Sequence, residues 1–421
     1  VIEIKPTGKL KKEVAVPGSK SYSHRILIAS ALSDGVCCIE NLLDSEDTRL
    51  TRSGLRQMGV AMEEMDGRVV VHGANGVLQH GKDPVYLGNS GTSMRLLTGI
   101  AALGKGNCRL MGTERMHQRP IQDLLDALNL LGVDARSENG NGCPPVVIQG
   151  GGALYDHTRI KSNVSSQYLS SLLLMAPKTE KGMTIEVISE VVSKPYVDMT
   201  VDIMTRMGVK VERDGYREFN VSGQQVYRSK NFYVEPDCSQ AGYFWAMAAV
   251  MGTRIKVKGI TRTTVQGDVR FAEVLKQMGC RVEYEADGIA VTGGPLKAIT
   301  VDMGDMPDIV PTLGVVAAFA KGETVIQNVA HLKEKESDRL AATSTELNKI
   351  GIATEVRADG LIVKGGTPHG GTIKTYDDHR MAMSFSVAGL RVPGIFIEDE
   401  GCVGKSFPTF WEVLHDLCSV K

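Results

Sequence analysis

The sequence predicts an α/β (α+β) chain of six βαβαββ-type repeats, grouped as two domains of three. Three observations carry that prediction. A helix ending around a glycine recurs as LRQMGVAM, LNLLGVDA, MTRMGVKV, LKQMGCRV and LNKIGIAT, with the glycines at 59, 132, 208, 279 and 351. Their spacings of 73, 76, 71 and 72 residues set a repeating unit. A more apolar segment precedes each of these helices: ASALSDG, TGIAALG, SSLLLMAP, WAMAAVMG, VVAAFAKG and SFSVAGL. Finally, β-rich stretches that turn on Asp-Gly follow four of the glycines: VAMEEMDGRVVVHG, VKVERDGYREFNVSG, CRVEYEADGIAVTGG and IATEVRADGLIVKGG.

Each element of the unit has its own reason. The first helix is apolar on most faces, which demands burial on all sides. The second is one-sided. In the second repeat Ile121, Leu124, Leu125, Leu128 and Leu131 recur at steps of three and four and form one apolar face. Gly132 then supplies a C-terminal cap that accepts positive φ, and Asp-Gly between alternating runs reads as a hairpin. The sixth repeat keeps the phase, with a helix around Phe410 to Leu417, but lacks the glycine. Crossings between the two bodies are expected at VAVPGSKS near Pro17 and YVEPDCSQ near Pro236.

Bulk composition narrows the function. The chain has 421 residues, 23% of them charged, and a net charge of −1. No global basic field therefore points to nucleic acid or to an acidic membrane, and an anion site has to come from local clustering. The eight cysteines show neither CxxC nor Cys/His metal spacing, as expected of a reduced cytoplasmic protein. VIEIKPTGKLKKEVAVPG contains no apolar core of a signal peptide. Runs such as LSSLLLMAP are too short to span a bilayer.

The helix starts carry the chemistry. Openings such as GSKSYSHR, GNSGTSMR, NVSSQYL, EPDCSQAG, MPDIVPTL and YDDHRMAM, and on the second helices MHQRPIQD, SKPYVD, KEKESDRL and GKSFPTF, are crowded with Ser, Asp, Lys and Arg. Ser, Thr and Asp at these places serve as N-caps, and Asp237 is expected to do only that. Cations are different, because a helix N-terminus carries partial positive charge and disfavours them. Lys20, Arg25, Arg95, Arg119, Lys194, Lys335, Arg339, Arg380 and Lys405 nevertheless lie in or near first turns. Anions bound among helix N-termini explain this recurrence better than nine separate surface charges. Gly88 and Gly91 in GNSGTS let backbone N–H groups approach an anion closely. GKS at 404–406 imitates the end of a nucleotide-binding P-loop, but Asp399 stands where its first Gly is required and Pro408 follows. Asp308 and Glu336 open the two helices of the fifth repeat, so they can share a site with Lys335 and Arg339; a carboxyl there acts as a general acid only if it is kept protonated.

At these residues the chain resembles the EPSP synthases of the enolpyruvyl transferase family over its full length. The matching blocks, in order, are PGSKSYSHR, LGNSGTSMRLL, RPIQDLLDAL, SNVSSQYL, SKPYVD, PDCSQA, MPDIVPTL, KEKESDRL, DDHRMAM and GKSFPTF. The resemblance implies an inside-out α/β barrel of two domains, 1–17 plus 236–421 and 18–235, with a cleft between them. It implies transfer of the enolpyruvyl group of phosphoenolpyruvate to the 5-hydroxyl of shikimate 3-phosphate with release of phosphate, a step towards chorismate and the aromatic amino acids. No cofactor or metal is implied. A monomer is expected, with no nucleic-acid or membrane partner.

Carried over by position, Lys20, Ser21 and Arg25 match residues that meet shikimate 3-phosphate, Lys20 also reaching phosphoenolpyruvate. Ser165, Ser166, Gln167 and Ser193 match contacts to the phosphate and ring of that substrate, alongside Asp308 and Lys335. Gly91, Arg119, Gln167, Arg339, Arg380 and Lys405 match the phosphoenolpyruvate site. Lys20, Asp308 and Glu336 match the catalytic set, with Asp308 as base towards the 5-hydroxyl and Glu336 as acid towards the methylene carbon. Domain closure over the ligands would align the reacting atoms. Two positions depart from the family pattern. His331 falls near a place often held by a shikimate-contacting Asn, and Leu96 stands where glyphosate-sensitive members usually have Pro. With Gly91 present, glyphosate is expected to inhibit, though more weakly.

Two other readings are weaker. The enolpyruvyl transferase that acts on UDP-N-acetylglucosamine typically has Lys-Asn in place of Lys20-Ser21, and a Cys in the loop that here reads GTERMHQRP. A non-catalytic binding protein on the same fold would not need Lys20, Asp308, Glu336 and Arg380 together.

Overall fold

The computed structural model describes residues 1–419. The chain divides into two compact units, Gly18–Val234 and Val1–Pro17 with Glu235–Lys421, each with its own hydrophobic core. Gly18–Val234 contains helices α1 (Lys20–Ala31), α2 (Glu46–Gln57), α3 (Gly91–Leu103), α4 (Gln122–Leu130), α5 (Ser166–Met175) and α6 (Lys194–Arg206). The other unit contains α7 (Cys238–Met251), α8 (Phe271–Gln277), α9 (Val310–Ala317), α10 (Arg339–Lys349), α11 (His379–Gly389) and α12 (Phe410–Cys418). None of these helices is long and apolar enough to cross a membrane.

The two helix types separate as their patterns require. α1, α3, α5, α7, α9 and α11 are buried along almost their whole length, and α7, α9 and α11 pack on one another. α2, α4, α6, α8, α10 and α12 bury one face only. The five recurrent glycines take φ between 83° and 110°, the conformation a C-terminal cap needs. Close packing at α3 depends on another glycine. Gly99 N–H donates to Ser171 Oγ on α5 at 3.1 Å, and a Cβ at 99 would lie 2.5 Å from that oxygen.

A common sheet plan recurs in five of the six sheets found among the described residues. An edge strand runs parallel to a second strand, which pairs antiparallel with the far strand of a hairpin. Val85–Tyr86, Gly106–Met111, Val146–Gly150 and Ala135–Ser137 show it within one repeat. In the first repeat the hairpin Ala61–Met65 and Arg68–His72 turns on Asp66 and Gly67, at φ 49° and 75°, as a two-residue primed turn does.

Three of the repeats, the first, fourth and sixth, are not contiguous in sequence, contrary to a simple βαβαββ series. The first repeat enters directly on α1, and the parallel edge of its sheet is supplied by Phe232–Tyr233, with Phe232 opposite Ile39. In the fourth repeat that edge is Glu13–Val14, paired with Lys256 and Val257. The sixth sheet has three strands, Gly371–Ile373, Ile395–Ile397 and Ile2–Ile4, the last standing where a hairpin stands elsewhere. An unpaired edge exposes a row of N–H and C=O groups, so distant segments of the chain complete the sheets whose own repeats fall short.

Candidate functional site

In Gly18–Val234, hydrogen bonds link the N-terminal turns of α1, α2, α3 and α5, and bring α1 onto α6. Lys20 is the first residue of α1, and its Nζ donates to Asp47 Oδ2 on α2 at 2.9 Å, both groups being buried. Ser93 on α3 donates to the Asp47 carbonyl. Gln167, the second residue of α5, donates to Thr92 Oγ1 at 2.9 Å and accepts from Arg95 Nη1 at 3.1 Å, both on α3. Ser165 caps α5 by accepting from Gln167 N–H, with Ser166 buried beside it. Ser193 opens α6 in the left-handed region, φ 55° and ψ 46°, a costly place for a non-glycine residue.

Arg25 lies one turn further into α1, and it is only 1% exposed. Its Nε donates to Thr200 Oγ1 at 2.7 Å, Nη1 to the Ser21 carbonyl and Nη2 to Ser170 Oγ. All three acceptors are neutral, so burial outweighs the opposing effect of Tyr196 and Tyr22 and pulls the Arg25 pKa down to about 10. His24 next to it is fully buried; desolvation, aided by Lys20 and Arg25 and opposed by Asp47, brings it down to about 3, and the imidazole is neutral.

Arg119 is not in a first turn. It follows the 3₁₀ segment Met116–Gln118 in an extended conformation, as a residue preceding proline must, and α4 begins at Gln122. Its Nη1 donates to Asn89 O at 3.0 Å and Asn89 Oδ1 at 3.1 Å. Gly91, the first residue of α3, lies against this guanidinium: a Cβ there would sit 2.5 Å from Arg119 Nη2. Leu96 is buried inside α3, where its N–H takes part in the helix.

In the other unit, three carboxylates converge on one buried guanidinium. Arg339, the first residue of α10, is 1% exposed. Its Nη1 donates to Asp308 Oδ1, its Nη2 to Glu336 Oε2 and its Nε to Asp378 Oδ2, each at 2.8 Å. Burial alone would weaken its charge, but Asp378, Glu336 and Asp308 together outweigh that and hold its pKa above the ordinary value. Arg380, the second residue of α11, donates from Nη2 to Asp308 Oδ2 at 2.8 Å and from Nη1 to Ser239 Oγ and Tyr243 Oη. Asp308 therefore bridges two arginines. It lies in the 3₁₀ turn Pro307–Ile309 ahead of α9, while Lys335 and Glu336 lie between the 3₁₀ segment Ala330–Glu334 and α10.

Lys405 ends the 3₁₀ segment Glu400–Lys405 and is buried; no helix follows until Phe410, which is unlike a P-loop. Asp237 caps α7 by accepting from Ser239 and Gln240 N–H. His331 is buried in the 3₁₀ segment before Lys335. Desolvation, then Lys335 and Arg339, opposed by Asp308, lower it to about 3.

Sequence reasoning missed Asp378. It is fully buried, caps α11 by accepting from Arg380 N–H, and receives Ser337 Oγ and two Arg339 nitrogens. Its signal was present in YDDHRMAM, as an acid two residues ahead of an arginine, but a cap alone explained it. Asp47 and Asn89 were missed because their partners Lys20 and Arg119 are distant in sequence.

Residues 4–414 match the family model EPSP synthase (3-phosphoshikimate 1-carboxyvinyltransferase). The chain is 42% identical to the 3-phosphoshikimate 1-carboxyvinyltransferase of Marinomonas sp. (strain MWYL1), covering 99% of both chains. It is 42% identical to that of Syntrophobacter fumaroxidans (strain DSM 10017 / MPOB), again over 99% of both. Among solved structures it resembles the EPSP synthase of Acinetobacter baumannii, with a TM-score of 0.82 and 31% identity over 99% of this chain and 97% of that one. With the match running through both units, the chain belongs to the EPSP synthase family.

Proposed function

We propose that this chain transfers the enolpyruvyl group of phosphoenolpyruvate to the 5-hydroxyl of shikimate 3-phosphate, giving 5-enolpyruvylshikimate 3-phosphate and phosphate. The observation that carries the mechanism is the pair of carboxylates, Asp308 and Glu336, bound to the same buried Arg339 with Arg380 on the far oxygen of Asp308. Addition across the enol double bond needs a proton delivered to C3 and another removed from the attacking hydroxyl. Two carboxyls held at fixed positions around one guanidinium supply both functions.

In this reading Glu336 protonates the methylene carbon, Asp308 takes the 5-hydroxyl proton, and the oxygen bonds to C2 to give a tetrahedral phosphate ketal. Phosphate then leaves as the new methyl returns a proton and the double bond re-forms. Arg339, Arg380, Arg119, Lys405 and Lys20, with Gly91 and Gln167, bind phosphoenolpyruvate; Arg forks suit its carboxylate and phosphate. Lys20, Ser21, Arg25, Ser165, Ser166, Gln167, Ser193 and Lys335 bind shikimate 3-phosphate. An incoming anion also competes with Asp308 and Glu336 for the guanidinium groups. Losing those partners makes both carboxyls easier to protonate, which is what the acid step requires.

The reading extends to a cytoplasmic monomer made of domains 1–17 plus 236–421 and 18–235, inhibited by glyphosate. Phosphate release is the direct test. Release with phosphoenolpyruvate and shikimate 3-phosphate, and none with UDP-N-acetylglucosamine in its place, is expected. Release with the sugar nucleotide only, or with neither acceptor, would overturn the assignment.

A further inference from the structure

Two consecutive non-glycine residues, Tyr376 and Asp377, take left-handed conformations, with φ 57° and 54°. Left-handed turns favour Gly, Asn and Asp, and an aromatic residue there is held only by its surroundings. They immediately precede Asp378, the buried carboxylate on Arg339.

What holds the turn is a second buried acid. Glu346 lies two turns along α10 from Arg339, and its side chain is fully buried. Its Oε1 accepts from the Tyr376 hydroxyl at 2.7 Å and its Oε2 from the Lys374 N–H at 3.0 Å. Lys349 Nζ reaches both oxygens, at 2.9 and 2.8 Å. Helix α10 thus grips the segment 374–378 twice: at its N-terminus through Arg339 to Asp378, and farther along through Glu346 to Tyr376 and Lys374.

From this geometry we infer that Glu346 and Tyr376 are positioning residues for the reaction proposed above, fixing the strained turn so that Asp378 aims the Arg339 guanidinium at phosphoenolpyruvate. Neither touches the reacting atoms. The inference rests on the proposed reaction for its kinetic readout, but not for its structural one.

Removing the Tyr376 hydroxyl as Tyr376→Phe takes away one hydrogen bond to a carboxylate and keeps the ring. The KM for phosphoenolpyruvate is expected to rise about three- to tenfold, with the KM for shikimate 3-phosphate unchanged. In an Asp378→Asn background the same change should add nothing further, because its route is already cut. Lys349→Met, which removes the cation on Glu346 but leaves the turn bonds, should lower the melting temperature without moving that KM. An unchanged KM in Tyr376→Phe, an equal rise in both backgrounds, or an equal rise in Lys349→Met would overturn the inference. If the unaltered chain turns over no substrate, the reaction reading falls alone. The Arg339 Nε–H resonance of the ligand-free chain, identified by its loss in Arg339→Lys, then decides: Tyr376→Phe should shift it, and an unshifted resonance would overturn the positioning role.

Discussion

Replacing Gly91 with Ala tests whether the backbone at the start of α3 sets the place of Arg119. The new Cβ would lie 2.5 Å from Nη2, 2.8 Å from Cζ and 3.0 Å from Nη1, whereas ordinary contact begins at 3.4 Å. Gly91 is fixed as the first residue of a helix capped by Ser90, so the guanidinium has to retreat by about 0.9 Å, the gap between those distances. Its two bonds to Asn89, at 3.0 and 3.1 Å, then stretch beyond hydrogen-bonding range or turn away with it. A hydrogen bond to a charged group is worth about 1.5–3 kcal/mol. If the displaced guanidinium loses one such bond to substrate, the KM for phosphoenolpyruvate rises roughly 10- to 150-fold. The fold should not suffer, since the atom displaced is the end of a flexible side chain and Ala is a better helix residue by up to about 1 kcal/mol. The assay is steady-state kinetics with shikimate 3-phosphate saturating, alongside a thermal melt and a glyphosate inhibition constant, which should rise with KM. In an Arg119→Ala background the substitution should have no further effect. A KM unchanged within about twofold in the folded Gly91→Ala chain, or an undiminished effect in that background, would refute the reasoning.

Three further outcomes are expected. Glu336→Gln keeps an oxygen for Arg339 but cannot deliver a proton, so turnover should fall by about 10²–10⁴-fold while shikimate 3-phosphate binding, followed by calorimetry, persists; full turnover would remove Glu336 from the mechanism. His24 and His331, both lowered to about 3, are neutral in the folded chain and charged in the unfolded chain below about pH 6.5. The unfolded state then binds the extra protons, and each histidine should cost about 1.4 kcal/mol of stability per pH unit as pH falls from 6.5 towards 3. His24→Gln and His331→Gln should each flatten that slope in urea titrations between pH 6.5 and 5, and an unchanged slope would contradict the burial argument. Ser193→Gly relieves the left-handed backbone and should raise the melting temperature while raising the KM for shikimate 3-phosphate, whereas Ser193→Ala should raise only the KM; equal melting temperatures would show that the turn stores no strain.

Periodicity made the helices legible, because a buried helix has to be apolar all round and a half-buried one on one face. It could not show which strand closes each sheet. Phe232–Tyr233 and Glu13–Val14 are two-residue strands, too short to carry an alternating pattern, and their partners, Ile39 and Glu40 for the one and Lys256 and Val257 for the other, lie in distant parts of the sequence. The site shows the same limit. Lys20, Arg25, Arg339 and Arg380 stood out as cations where a helix dipole disfavours them. Asp378 and Glu346 did not, because an acid before or inside a helix has an ordinary explanation. Their function comes from burial and from partners brought by folding, neither of which has a local signature. The strained turn at Tyr376 was hidden for another reason: Tyr-Asp-Asp does not announce positive φ as Asn-Gly or Asp-Gly would.

The two ways in which buried arginines are held carry different consequences for binding. Arg25 rests on a carbonyl and two hydroxyls, so its charge is solvated but not neutralised. An anion arriving there restores a charge balance that burial had upset, and it needs to displace no carboxylate. Arg339 and Arg380 are already neutralised by Asp308, Glu336 and Asp378. An anion arriving there has to exchange with a carboxylate, which weakens its net gain. It also leaves the displaced acid beside a new negative charge, where taking up a proton becomes favourable. Ground-state affinity is thus given up at the residues nearest the proposed proton transfers and kept at Arg25, which is proposed only to hold the acceptor. Such a division favours turnover, because interactions strengthened only as protons move raise kcat, whereas equal tightening of both states would not.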